Sequence, residues 1–189
     1  MNPPKASIFI FSAPSGSGKT TIVKETMKRF NCFEFSVSAT TRPVRGKERE
    51  GIDYFFLTES QFKNKIDANA FLEWEEVYPG RFYGTLRSEV DRILSSGKYA
   101  IFDVDVQGGI NIKKNYGVQA VSFFIQPPGI EVLKKRLERR GTDSAEDITR
   151  RIAKAEEEMK FAPQFDYIII NDVLEDAVAL VEQLIRLHL

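Results

Sequence analysis

The chain has 189 residues, the length of one domain or of one domain carrying inserted subdomains, and enough to bury a sizeable core. Hydrophobic residues make up 42% and charged residues 29%, a balance that excludes a disordered chain. Lys and Arg number 27, as do Asp and Glu; this argues against a general nucleic-acid binder or a polybasic membrane protein, but not against a small anionic ligand held by a local cluster of cations.

The first apolar stretch, Ile8–Phe11, is far too short to span a membrane, and no small-residue cleavage site follows it. Cys32 is the single cysteine, so no intrachain disulfide forms, and a cytoplasmic protein is expected. The single histidine, His188, is expected to be disordered at a frayed end, which argues against a histidine metal site or catalytic triad.

Ser7–Ser12 (SIFIFS) reads as a buried strand. The Gly/Ser/Pro-rich run Ala13–Gly18 ends it, and Ile22, Val23, Met27 and Phe30 recur at near-helical spacing from about Lys19. From about Phe35 to Leu86 the rhythm changes. Tyr54–Leu57 is a short aromatic strand candidate, Glu59–Lys65 a short helix candidate, and the stretch reads as an inserted subdomain. Ala100–Val104, Ala120–Ile125 and Tyr167–Ile170 are three further buried strands. Helical patterns run through Val132–Leu137, Ile148–Met159 and Leu174–Ile185, with Arg140-Gly141-Thr142 interrupting a basic stretch as a possible flap. Strands alternating with helices imply an α/β fold, a parallel sheet with helices on both faces.

The strongest local pattern is Ala13-Pro14-Ser15-Gly16-Ser17-Gly18-Lys19-Thr20. It matches the phosphate-loop pattern at every position but the first. Gly16 and Gly18 permit backbone angles that turn successive N–H groups into an anion nest, and a helix dipole follows. Lys19 is placed to reach the β- and γ-phosphates of a triphosphate and Thr20 to hold Mg²⁺. Downstream, Asp103 ends an apolar strand, as an acid near Mg²⁺ does in nucleotide triphosphatases, usually through a water. Asp105 lies two residues on, on the same side of the strand.

With these residues in view, the chain resembles the guanylate kinases over about Ser7–Leu187. The resemblance rests on Ser36–Glu48 (SVSATTRPVRGKE), Gly51–Phe56, Phe71–Trp74, Tyr83–Thr85, Asp103–Gly108 and Arg136–Gly141, in the family's order. It implies one P-loop domain, residues 5–187: a three-layer core of about 5–36, 87–136 and 152–187, a GMP-binding subdomain of about 37–86, and a helical lid of about 137–151. It implies phosphoryl transfer from ATP to GMP, and to dGMP, with Mg²⁺ as cofactor, in a monomer or homodimer that binds neither nucleic acid nor membrane. Ala13–Thr20 would bind ATP. Arg42, Arg45, Tyr54 and Tyr83 would hold the GMP phosphate, and Ser38, Glu73, Gly84, Thr85 and Asp105 the guanine end. Arg136, Arg140 and Arg151 would close over the ATP phosphates, joining Lys19 and Arg42 as the catalytic set.

Physical chemistry supports these roles. Arg presents a planar fork that fits phosphate oxygens. Guanine offers N1–H and amino donors to carboxylates and O6 to hydroxyls, and a site built for that pattern rejects adenine by roughly 10⁴-fold. Other residues have plainer readings: Lys134, Lys135, Arg139 and Arg150 as a solvated helix face, Trp74 as packing rather than base-stacking, Cys32 as a small buried or half-buried residue, and Asn171 and Asp172 as caps of the last helix, or, as the resemblance implies, residues near the adenine. Two alternatives remain: a kinase for another monophosphate, and a catalytically inactive guanylate-kinase-like module that binds phosphopeptides.

Overall fold

The computed structural model describes residues 6–141 and 144–189, with the backbone alone at residue 140. In chain order the elements are β1 (Ile8–Ser12), α1 (Lys19–Arg29), β2 (Phe33–Phe35), β3 (Ala39–Thr40), β4 (Phe55–Phe56), α2 (Glu59–Asp67), β5 (Phe71–Tyr78), β6 (Arg81–Leu86), α3 (Arg87–Ser95), β7 (Tyr99–Val104), α4 (Val106–Tyr116), β8 (Ala120–Gln126), α5 (Ile130–Arg140), α6 (Ala145–Met159), β9 (Tyr167–Ile170) and α7 (Leu174–His188).

Five strands form one parallel sheet in the order β2-β7-β1-β8-β9. β1 lies at its centre and every residue of β1 is buried. Its side chains alternate between two cores. Phe9 and Phe11 join Ile22 and Val23 of α1 and Val178, Val181 and Ile185 of α7 on one face. Ile8 and Ile10 join Val90 and Ile93 of α3 and Ile112 of α4 on the other. Each such side chain contributes about 1.5–3 kcal/mol on burial, so the apolar run of β1 is the sequence of a strand covered on both faces.

The sequence supplied four of these strands. The fifth, β2, has three residues and pairs only with β7 at the sheet edge, too short to show periodicity. Helices α3 and α4 were also not anticipated. α4 carries Gly108 and Gly109 in its first turn, which propensity alone argues against.

A second sheet, β4-β3-β6-β5, lies between β2 and α3 in the chain. Its core is Ala39, Phe62, Phe71, Phe82 and Leu86, with the Phe62 and Phe71 rings stacked 4.3 Å apart. α2 closes this core and starts at a capping box in which Thr58 and Gln61 satisfy each other's backbone N–H. Of the strand expected at Tyr54–Leu57, only Phe55–Phe56 forms. α5 and α6 pack through Leu133, Leu137, Ile148 and Ala155. Gly141 caps α5 in the left-handed region, and Thr142 of the expected flap lies outside the described residues.

The expected disorder of His188 is overturned. His188 is buried at 7% exposure; its ring meets the Tyr167 hydroxyl at 2.9 Å, and its carbonyl accepts the Ala6 N–H at 3.0 Å. The C-terminal helix is thereby tied to the start of the described chain. Trp74 points outward from β5, 43% exposed and away from the main cavity, with its ring 6.2 Å from that of Phe82, which agrees with packing rather than base-stacking. Cys32 is half-buried, as expected. Among the described residues no helix is long and apolar enough to cross a membrane.

Candidate active site

The C-terminal ends of β1 and β7, the loop entering α1, one face of β5 and β6, and α6 enclose a cavity of about 950 Å³. All eight residues of Ala13–Thr20 line it. Gly16 and Gly18 both have positive φ, at 97° and 92°. At Gly18 the requirement is also spatial, because a Cβ there would lie 2.3 Å from Nδ2 of Asn171. That amide donates to the Ser17 carbonyl at 2.6 Å, and the Asn171 carbonyl accepts from Arg136 at 2.9 Å. Asn171 thus fastens the loop to the end of β9. It does not cap α7, whose cap position is Val173 without a side-chain bond.

The register of β1 beside β7, Ser12 against Val104, brings the loop to the strand-end acid. Lys19 Nζ lies 2.5 Å from Asp103 Oδ1, and Thr20 Oγ1 donates to Asp103 Oδ2 at 2.7 Å. One carboxylate therefore orients both side chains. A carboxylate and a hydroxyl side by side, facing a phosphate nest, are the oxygen donors that suit a hard cation such as Mg²⁺, which takes few protein ligands and completes its shell with water and phosphate.

The opposite wall is built from strands. In β5 the odd positions Glu73, Glu75 and Val77 line the cavity while Trp74 and Glu76 face out. Across the antiparallel pair, Glu73 lies opposite Thr85 and Glu75 opposite Tyr83. Thr85 Oγ1 donates to Glu73 Oε1 at 2.6 Å. Asp105 caps α4 by accepting the Gly108 N–H at 2.7 Å. A Cβ on Gly108 would stand 3.1 Å from both Asp105 Oδ1 and Glu73 Oε2, so a glycine in the first turn lets two carboxylates converge. Burial pushes Glu73 up to about 7, with the charge of Asp105 adding and the Thr85 bond opposing. Glu75 is also pushed up to about 7, by burial and by the hydrogen bond it shares with Asp105, against Lys154.

Tyr54 and Tyr83 line the same cavity with their rings 6.2 Å apart, beside Arg45. Burial raises the Tyr54 hydroxyl against the pull of Arg42. From α6, Asp147, Arg151, Lys154 and Glu158 share one face at helical spacing and line the third wall. Arg151 donates to Ser15 Oγ at 2.8 Å. Burial raises Glu158, again against Lys154.

Ser38, Arg42, Gly84, Thr85 and Arg136 do not line the cavity. Arg42 is 5% exposed and forked onto Glu48, with both N–O distances 2.6 Å, and stacks 4.6 Å over the Tyr54 ring. That pairing raises the Arg42 guanidinium and lowers Glu48. Thr85 acts on the cavity through Glu73. Gly84 lies opposite Trp74, where a Cβ would stand 2.9 Å from the Glu73 carbonyl. Ser38 accepts the Phe55 N–H through its carbonyl. The Arg140 side chain lies outside the described residues. Sequence reading missed Glu75, Lys154 and Glu158; Arg150, read as part of a solvated face, is 77% exposed as expected and borders the cavity. Period-two alternation from Glu73 marks Glu75, and helical spacing from Arg151 marks Lys154 and Glu158.

The family model described as guanylate kinase matches residues 5–188. The chain belongs to the guanylate kinase family. It is 55% identical to a guanylate kinase of Bacteroides fragilis over 93% of this chain and 86% of that one. It is 43% identical to a guanylate kinase of Thermotoga maritima over 96% and 87%. The crystal structure of guanylate kinase from Anaplasma phagocytophilum superposes with a TM-score of 0.77 at 27% identity, over 96% of this chain and 85% of that one. A shikimate kinase from Bacteroides thetaiotaomicron shares the fold alone, with a TM-score of 0.53 at 15% identity over 95% and 98%. Guanylate kinase family membership makes the chain a nucleoside monophosphate kinase with an α/β P-loop fold and sets catalysis above the inactive phosphopeptide-binding alternative.

Proposed function

We propose that the loop wall of the cavity takes ATP and the β5–β6 wall takes GMP or dGMP, so that the γ-phosphoryl group passes between them to give ADP and the nucleoside diphosphate. One observation carries this reading. Lys19 and Thr20, suited to a triphosphate, face Glu73, suited to guanine, across a single cavity.

Glu73 and Asp105 accept from the guanine donors, with Thr85 orienting Glu73. Arg45, Tyr54 and Tyr83 donate to the acceptor phosphate, and Arg42 joins them when it leaves Glu48. The attacking phosphate oxygen is already ionised, so no general base is required, and catalysis is positioning and charge stabilisation. Lys19 and Arg151 lie where charge spreads over the transferring group, and Arg136 and Arg140 join them on closure. Thr20 and Asp103, the latter through water, would hold Mg²⁺, which would neutralise phosphate charge when bound. Closure excludes water, the competing acceptor.

In this reading residues 37–86 form the GMP-binding subdomain and 137–151 the lid of one domain, 5–187. The protein serves guanine nucleotide supply in the cytoplasm as a monomer or homodimer. The test is ADP production from ATP and Mg²⁺ with GMP, dGMP, AMP, CMP, UMP and dTMP offered separately. Turnover confined to GMP and dGMP is expected. Equal turnover of AMP would overturn the base assignment, and no turnover from folded protein would overturn the whole.

A further inference from the structure

Glu75 lies outside every motif that carried the family resemblance, yet its side chain faces the cavity. It stands two residues along β5 from Glu73, about 7 Å at strand rise, and directly opposite Tyr83. A nucleotide with its base against Glu73 and its phosphate against Tyr83, Tyr54 and Arg45 carries its sugar across the face at Glu75. The chemistry narrows the occupant further. Burial and a hydrogen bond shared with Asp105 push Glu75 up to about 7; once ionised, its carboxylate only accepts hydrogen bonds, so it has nothing to offer a phosphate oxygen. The guanine donors already have Glu73 and Asp105. The remaining donors on GMP are the ribose hydroxyls. Lys154, close enough to act on Glu75, offsets the cost of a carboxylate near an anionic phosphate.

We infer that Glu75 determines sugar specificity, its carboxylate accepting a hydrogen bond from a ribose hydroxyl of the acceptor nucleotide. The inference rests on the proposed placement of GMP on the β5–β6 wall. It implies that a ribonucleotide acceptor is favoured over a deoxyribonucleotide and that the preference resides in one side chain.

The test measures kcat and KM for GMP, 2′-deoxy-GMP and 3′-deoxy-GMP with the unaltered protein, Glu75→Ala and Glu75→Gln. In the unaltered protein at least one deoxy analogue should lose about tenfold in kcat/KM, mainly through KM, the size expected for one charge-assisted hydrogen bond. Glu75→Ala should bring that ratio to within about twofold of unity, and Glu75→Gln, which keeps an acceptor oxygen, should retain part of it. Equal use of all three nucleotides by the unaltered protein would overturn the inference whether or not the variants fold. A preference that persists in Glu75→Ala would overturn it as well, since a mere tie to Lys154 affects all three nucleotides alike. Failure to use GMP at all would instead remove the placement on which the inference rests.

Discussion

The two ends of the cavity are built by different means. The loop end comes from a contiguous run, Ala13–Thr20, whose backbone carries the anion nest, and one further residue, Asp103, orients both Lys19 and Thr20. The strand end draws single side chains from separate elements, among them Tyr54 before β4, Glu73 and Glu75 of β5, Tyr83 of β6 and Asp105 ahead of α4. At the loop end the anion nest is backbone, while the side chains of Lys19 and Thr20 are held by Asp103. At the strand end some side chains are engaged with each other: Arg42 with Glu48, Glu73 with Thr85, and Glu75 with Asp105. In the proposed reading, the backbone part of triphosphate recognition is therefore local, while recognition of the monophosphate depends on side chains brought together by tertiary structure; at both ends some side chains must exchange partners.

The largest effect is expected where the loop end meets the reacting group. Lys19→Ala should lower kcat/KM by ~10³-fold, the scale of removing a donor aimed at transition-state charge. Calorimetry should find GMP binding nearly intact, because Lys19 belongs to the other end; loss of GMP binding would dissolve the division. Glu73→Gln should lower kcat/KM for GMP by ~10²-fold, since an amide offers the guanine donors one acceptor and one misplaced donor. A steady-state comparison of GMP with AMP would show selectivity collapsing with it. Unchanged selectivity would move guanine recognition elsewhere.

The same contrast explains what was legible in the sequence. The loop was readable because its function needs a fixed spacing of Gly, Lys and Thr between a strand and a helix. The central strands were readable because Ile8–Phe11 and Ala100–Val104 are apolar on both faces. β2, with three residues, and α4, with paired glycines, were not. Gly108 contradicts helix propensity for a reason visible only in three dimensions, the convergence of Glu73 and Asp105 on its open side. Arg42 was readable as a phosphate ligand by resemblance, but its pairing with Glu48, six residues on, is a tertiary fact. His188 read as frayed because nothing local shows that Tyr167 and Ala6 secure it.

A smaller effect concerns protonation. In the proposed placement Glu73 must be ionised to accept from both guanine donors, and burial raises it to about 7 from an ordinary value of 4.5. The folded, unliganded protein therefore holds a proton there through that window, and GMP binding releases it. Affinity should fall as pH falls through about 7, with KM for GMP rising ~10-fold between about pH 8 and about pH 6. Glu73→Gln should weaken this dependence, leaving the titrations of Glu75, also pushed up to about 7, and of the nucleotide phosphate near pH ~6. A KM that is flat in the parent protein over this range would place an ionised Glu73 outside the binding step.

The smallest effect tests whether Arg42 exchanges partners. Its guanidinium is buried, and Glu48 is the carboxylate forked onto it. Removing one member of a partly buried pair strands the other. Glu48→Gln should therefore destabilise the unliganded protein by about 1 kcal/mol, a value kept low because Glu48 retains some contact with water. If Arg42 turns to the acceptor phosphate when GMP binds, the nucleotide supplies the missing counter-charge. Much of the lost stability then returns in the complex, and the rise in Tm caused by saturating GMP should be a few degrees larger in Glu48→Gln than in the parent. Equal rises would mean that Arg42 keeps its place in both states and that Arg45, Tyr54 and Tyr83 hold the phosphate without it. The exchange of partners at the strand end would then rest on Glu73 and Glu75 alone.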